Sequence, residues 1–205
     1  MSDAALLPLP FPEVAVVDCD TLAEQTAAIA DALPVRPLVL GGCCCSHTGA
    51  IRGLSERHRD LAVVWLDAHG DLNTPESSPS GNAWGMPLRA TIDEGAVAVR
   101  RVALVGARNL DPPERSFLRE TGIDDDIERV AVGADAVYVA LDVDVLAPGA
   151  VPAFMPEPGG PSVEEVEALL RDVAARAPIA GLGLTGLRPE ADAGTLSRFA
   201  VALGL

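Results

Sequence analysis

The chain has 205 residues, which suits one domain with a full core, and its 49% hydrophobic content includes only 3% aromatics, so that core is built from Ala, Val and Leu. A net charge of −15 argues against a nucleic-acid face and against anionic membrane surfaces. All 15 basic residues are Arg, which excludes Schiff-base, P-loop and kinase-type lysine chemistry.

In chain order, the start, MSDAALLPLP, lacks a basic region followed by an apolar one, and no apolar run approaches a membrane span. A soluble, cytoplasmic protein is expected. Short β-branched runs at 14–17, 37–40, Leu61–Leu66, 101–105, 136–141 and 179–184 read as strands buried on both faces. Between them, Ala/Leu/Glu patterns predict helices at Leu22–Ala32, 46–56, 113–121, 163–175 and 191–203. Thr21 with Glu24, and Ser162 with Glu165, have capping-box spacing. This alternation predicts a parallel sheet with crossover helices and no second domain. Two stretches, 73–85 and 147–160, are long, turn-rich and follow strands directly, which marks them as functional loops. Asp124, Asp125 and Asp126 form an acidic turn. The four cysteines, Cys19 and the run Cys43, Cys44 and Cys45, lack the spacing of a zinc ribbon or disulfide framework, so reduced thiols are expected.

Two acidic motifs carry the chemistry. The strand Leu61–Leu66 runs into Asp67-Ala68-His69-Gly70-Asp71, and period two puts Asp67 and His69 on one side. The strand at 136–141 runs into Asp142-Val143-Asp144 in the same way. Carboxyl ends of buried strands are where open α/β sheets place their sites. Converging aspartates in a dry crevice repel each other unless cations sit between them. Unrelated caps and turns would account for either motif alone, but poorly for both at strand ends. Carboxylates with one imidazole suit manganese, magnesium, iron or zinc.

With DAHGDLN, the SGN at 80–82, LDVDVLAP, the glycine pair Gly41-Gly42, GARNLDPPE and PAFMPEPGG, the sequence resembles the arginase–agmatinase (ureohydrolase) family. The resemblance implies the arginase–deacetylase fold, a three-layer α/β/α sandwich with a mainly parallel sheet, over a single domain, 1–205, shortened at its N-terminus. It implies a manganese pair bridged by a hydroxide that attacks a guanidine carbon and releases urea. It also implies a small-molecule substrate and a homo-oligomer, trimer or hexamer. By position, Asp67 and Asp142 resemble bridging ligands, His69 and Asp144 ligands of one metal, and Asp71 a ligand of the other with a catalytic part. Asn73 and Ser80 match positions that hold a substrate carboxylate, and Asp111 one that holds the substrate amine.

Four departures stand out. Cys44 occupies a position that is a metal-binding His in the family. Either its thiolate binds and favours zinc or iron over manganese, or His47, one helical turn on, serves as ligand or acid, or that seat is weak. Trp84 stands where arginases have a proton-shuttling His, and indole does no acid–base work at neutral pH. Gly186 stands where a Glu pairs with the guanidinium. The chain is also shorter than usual members. The expectation is therefore a metal-dependent hydrolase of a linear C–N bond with weak or absent arginase activity. The alternatives are a catalytically silent metal-binding relative, and a single-metal, deacetylase-like amide hydrolase using Asp67, His69 and Asp144.

Overall fold

A computed structural model describes residues 7–205. Five strands form one sheet: β1 (Leu38–Leu40), β2 (Leu61–Leu66), β3 (Val102–Val105), β4 (Ala136–Asp142) and β5 (Ile179–Thr185). Their spatial order is β1-β5-β4-β2-β3 and every pairing is parallel. The central strand β4 and its neighbour β2 are buried along their whole length, which is why they read as unbroken apolar runs.

Residue parity assigns the two faces. Val64, Val139 and Leu182 pack with Val130, Val166, Leu170, Leu196 and Phe199 in one core layer. These last five come from α5 (Ile127–Ala131), α6 (Val163–Arg176) and α7 (Ala193–Ala202). On the opposite face Val63, Trp65, Tyr138 and Ala140 pack with Ile51, Leu54 and Leu88. These three come from α2 (Cys45–Ser55) and α3 (Pro87–Asp93), and α1 (Leu22–Ala32) lies against α2. Glycine makes that last contact possible, because a β-carbon on Gly49 would come within 2.7 Å of the Thr26 carbonyl. The result is the expected three-layer α/β/α sandwich. The remaining helix, α4 (Pro112–Thr121), starts behind Asp111 and ends at Gly122, whose φ of 71° is the left-handed stop that glycine tolerates. Both expected capping boxes form, at Thr21/Glu24 and Ser162/Glu165.

Some elements depart from the sequence reading. Residues 14–17 form no strand: Val14 and Val16 are exposed, so this β-branched run does not pack into the sheet. Helices α3 and α5, of seven and five residues, are too short for a 3.6-residue periodicity to show. In the acidic turn, Asp126 caps α5 by accepting from Arg129 N at 2.9 Å. Among the described residues, no helix is long and apolar enough to cross a membrane.

Candidate metal centre

The site lies at the carboxyl edge of the sheet, where β2 and β4 end side by side. Beyond β2 the ladder persists for one more residue, Asp67 N donating to Val105 O at 3.1 Å. Asp142 is the last residue of β4 and lies in register with Thr185 of β5. Asp67 and Asp142 continue the parity of Trp65 and Tyr138, so both carboxylates turn toward the α2 face. There Cys44, at the N-terminus of α2, meets them.

Two triplets form, and Asp67 belongs to both. Cys44, Asp67 and Asp142 make one; Asp67, His69 and Asp144 make the other. Within each, the ligand atoms lie within 4.8 Å of one another. Cys44 Sγ is 3.0 Å from Asp142 Oδ2 and 3.7 Å from Asp67 Oδ2. His69 Nδ1 is 3.0 Å from Asp144 Oδ2 and 3.4 Å from Asp67 Oδ1. All but His69 are buried.

The carboxylates are held from behind by N–H groups. His69 N donates to Asp67 Oδ1 (2.7 Å), Ala68 N to Asp144 Oδ1 (3.0 Å) and Asp144 N to Asp142 Oδ1 (2.9 Å). Trp65 Nε1 donates to Asp67 Oδ2 at 3.3 Å. Asp71 is the one non-glycine residue with positive φ, 53°, among the described residues. Such a backbone is costly and persists only where its surroundings fix it. Here Glu114 does so from α4, accepting Leu72 N at 3.0 Å and Asp111 N at 2.8 Å. It leaves no room for a β-carbon on Gly70, which would come within 2.6 Å of Glu114 Oε1.

Electrostatics argue for a cation. Burial, then the neighbouring carboxylates, pushes Asp71 and Asp142 well above the ordinary carboxylate range. Burial raises Asp67 to about 6. His69 is pushed up to about 11, first by its bond to Asp144 and then by that to Asp67. A proton on His69 thus does part of the neutralising that a divalent ion would take over. Asp71 Oδ2 is buried without a hydrogen-bond partner. His69 Nε2 faces Glu157 Oε1 at 3.3 Å without hydrogen-bond geometry. Two oxygen-rich triplets with a shared carboxylate and an unsatisfied acid beside them fit one or two divalent metals.

The other sequence candidates divide. Asn73 is buried and donates to Asp111 Oδ2 at 2.9 Å, so these two are brought together. Ser80 is apart from them, in an exposed turn where it meets Ser78 Oγ and Asn82 N. His47 lies beneath the cluster, both ring nitrogens engaged by Tyr138 and Thr185 rather than by the carboxylates. Trp84 is 40% exposed in a short 3₁₀ turn. Gly186 has φ of 68° and packs directly on Asp142.

Sequence reasoning missed four residues that shape the site. Glu114 had a signal, its capping-box spacing from Asp111. Thr185 and Tyr138 had none, because a strand hydroxyl reads as ordinary packing. Arg108 was also silent. Its guanidinium donates to the carbonyls of Asp144 (2.9 Å), Val145 (3.2 Å), Glu157 (3.2 Å) and Pro158 (2.9 Å), which pins the loop at 147–160 against the strand end.

Comparison with known proteins finds arginases among the relatives of this chain. Arginase from Staphylococcus aureus is 36% identical over 140 residues, 55% of this chain and 46% of that protein. Arginase from Brevibacillus brevis is 33% identical over 198 residues, 82% of this chain and 66% of that protein. The chain spans about half the length of several curated relatives it matches. The solved arginase from Bacillus caldovelox superposes with a TM-score of 0.82 at 27% identity, covering 95% of this chain and 82% of that one. The family model for arginases matches residues 1–204, and the chain belongs to the arginase family.

Proposed function

We propose that the protein is a metal-dependent hydrolase of a linear, guanidino- or amidine-like C–N bond, with cleavage of arginine itself weak or absent. The observation that carries this is the pair of triplets sharing Asp67, with Asp71 beside them and its Oδ2 buried without a hydrogen bond. Retaining so many buried acids costs stability unless they are used. Asp67, His69, Asp71, Asp142, Asp144 and Cys44 would hold one or two divalent ions, manganese in the family's manner or zinc or iron where Cys44 binds. Such ions supply Lewis acidity and lower the pKa of water. Asp71 Oδ2, buried without a hydrogen bond, is the acceptor that would orient the attacking water. The linked Asn73 and Asp111, with Ser80 on the neighbouring turn, offer polar groups to the amine and carboxylate end of a small substrate. This reading takes 1–205 as one domain of a cytoplasmic homo-oligomer, trimer or hexamer.

At the other end of the substrate the chain offers little. Trp84 supplies no proton shuttle, and a lost general acid alone removes about 10²–10⁴-fold in rate. Gly186 supplies no carboxylate, which also removes orientation. Gly186 specifically favours a second reading, a catalytically silent metal-binding relative.

The test is urea release from arginine and agmatine, and ammonia release from simpler amidines, with manganese, zinc, cobalt and iron in turn and Asp142→Asn as the blank. Amidine turnover above the blank supports the enzyme. Arginine turnover on the order of 10 per second refutes the argument from Trp84 and Gly186. Metal uptake without turnover of any of these supports the silent relative.

A further inference from the structure

A buried hydrogen-bonded chain runs beneath the metal centre. The Tyr138 hydroxyl is 3.0 Å from His47 Nδ1, His47 Nε2 is 3.1 Å from Thr185 Oγ1, and Thr185 Oγ1 donates to Asp142 Oδ2 at 3.1 Å. None of Tyr138, His47 and Thr185 is more than 1% exposed, so water offers them no other partner.

The order of the protons is forced. Asp142, ionised as a metal ligand must be, can only accept, so Thr185 gives it its single hydrogen. Thr185 can then only accept from the imidazole, which puts the ring hydrogen on Nε2. Burial holds His47 neutral, its pKa lowered to about 3, so Nδ1 is bare and accepts from Tyr138. Every donor points toward Asp142, the arrangement in which successive hydrogen bonds strengthen one another.

The surroundings are shaped for this chain. His47 is edge-on to Trp65, with centroids 5.0 Å apart at 73°, and to Tyr138, at 5.9 Å and 68°. A β-carbon on Gly183 would fall on the Tyr138 oxygen and the His47 ring. Glycine inside a strand is destabilising, and Gly183 has no left-handed backbone to require it. Its missing side chain is the space the hydrogen bond occupies.

We infer that His47 is a positioning residue of the metal centre, acting through Thr185 to fix the proton that Asp142 Oδ2 accepts. Thr185 Oγ1 is also 3.4 Å from Cys44 Sγ, so a freely rotating hydroxyl would divide its proton between sulfur and carboxylate. Donation from His47 on its lone-pair side removes that freedom. The role rests on the reading of the site as a metal centre.

Two measurements test it. In metal-loaded protein carrying ¹⁵N-histidine, the buried imidazole should read as the neutral Nε2–H tautomer, with Thr185→Val releasing that preference. Manganese and cobalt titrations should then show His47→Phe and Thr185→Val each weakening uptake about tenfold, the usual scale for a partner behind a ligand. The double variant should be no weaker than either single one, because both act along one line. His47→Gln, which keeps a donor for Thr185, should recover part of the loss. Tyr138→Phe, the mildest change to the fold, should weaken uptake by freeing Nδ1. An Nδ1–H tautomer, additive losses, or a lower melting temperature with unchanged metal affinity would overturn the role. Wild-type protein that takes up no metal overturns the reading of the site and the role with it, whereas uptake indifferent to His47 overturns the role alone.

Discussion

Gly186 and Asp142 are packed so closely that a β-carbon on residue 186 would overlap the Asp142 carboxylate. The absence of an acid at 186, where the family resemblance puts a guanidinium-pairing Glu, is therefore built into the backbone of this chain, since φ at 186 is left-handed and the space is filled. Gly186→Glu is expected not to create arginase activity. It should instead displace Asp142, lower metal affinity and reduce the melting temperature. Gly186→Ala should do the same to a lesser degree, with a strain cost of about 1–3 kcal/mol. Urea unfolding and a manganese titration of both variants check this, and faster arginine cleavage in Gly186→Glu would contradict it.

Metal removal should expose the repulsion among the acids. Chelator is expected to lower the melting temperature, and excess metal to restore it by mass action, about 2.7 kcal/mol at a hundredfold excess over Kd. The sign of the pH dependence follows from the raised groups. Asp67 in the folded chain holds its proton up to about 6 against an ordinary 3.8, so its contribution is complete at low pH and lost as pH rises toward 6. His69, raised from 6.5 to about 11, loses its contribution as pH rises through that higher range. Chelated protein should thus be less stable at pH 8 than at pH 5, and the gap between metal-loaded and chelated protein should widen as pH rises. Scanning calorimetry at the two pH values, with and without chelator, tests both statements. Equal curves would count against the site.

The acids of the two candidate triplets were legible in the sequence for a physical reason, whereas Cys44 entered only through the family resemblance. Acids clustered just past two buried apolar runs announce a site at the strand ends without any knowledge of the fold. However, β2 ends at Leu66 and Asp144 lies in a 3₁₀ turn, so it is the turns after the strands rather than period-two alternation that aim His69 and Asp144. Capping boxes at Thr21 and Ser162 were legible because they are local. What distance along the chain hides was not. The direction of the His47 ring depends on Tyr138 and Gly183, about a hundred residues away or more. Residues 14–17 carry strand-like composition but stay exposed outside the sheet, which only the tertiary structure reveals.

Glu114 is expected to matter to the metal loop although it touches no candidate ligand atom. It accepts two backbone N–H groups, from Leu72 and Asp111, and burial raises its pKa before those bonds partly offset the effect. Glu114→Gln keeps one acceptor oxygen and should leave one buried N–H unpaired, at about 1–3 kcal/mol. Asp71, whose left-handed backbone leans on this clamp, should then bind metal less tightly. Denaturant unfolding and metal titration should both fall. A stability loss with intact metal affinity would limit Glu114 to the fold.

Cys44 should set which metal the centre prefers. Its sulfur lies 3.0 Å from Asp142 and 3.7 Å from Asp67, so a cation shared by those carboxylates would meet a thiol that burial and the surrounding acids hold protonated. A hard ion such as manganese gains little from displacing that proton, whereas zinc, cobalt or iron gains a soft thiolate bond. Cobalt-loaded protein is expected to show a sulfur-to-metal charge-transfer band that vanishes in Cys44→Ser. Cys44→His should shift the preference toward manganese, because imidazole binds without losing a proton at neutral pH. Competition between zinc and manganese, followed by elemental analysis, reads that shift directly. A cobalt spectrum without the band in the wild-type protein would make Cys44 a packing residue and leave the second metal to Asp67, Asp71 and Asp142 alone.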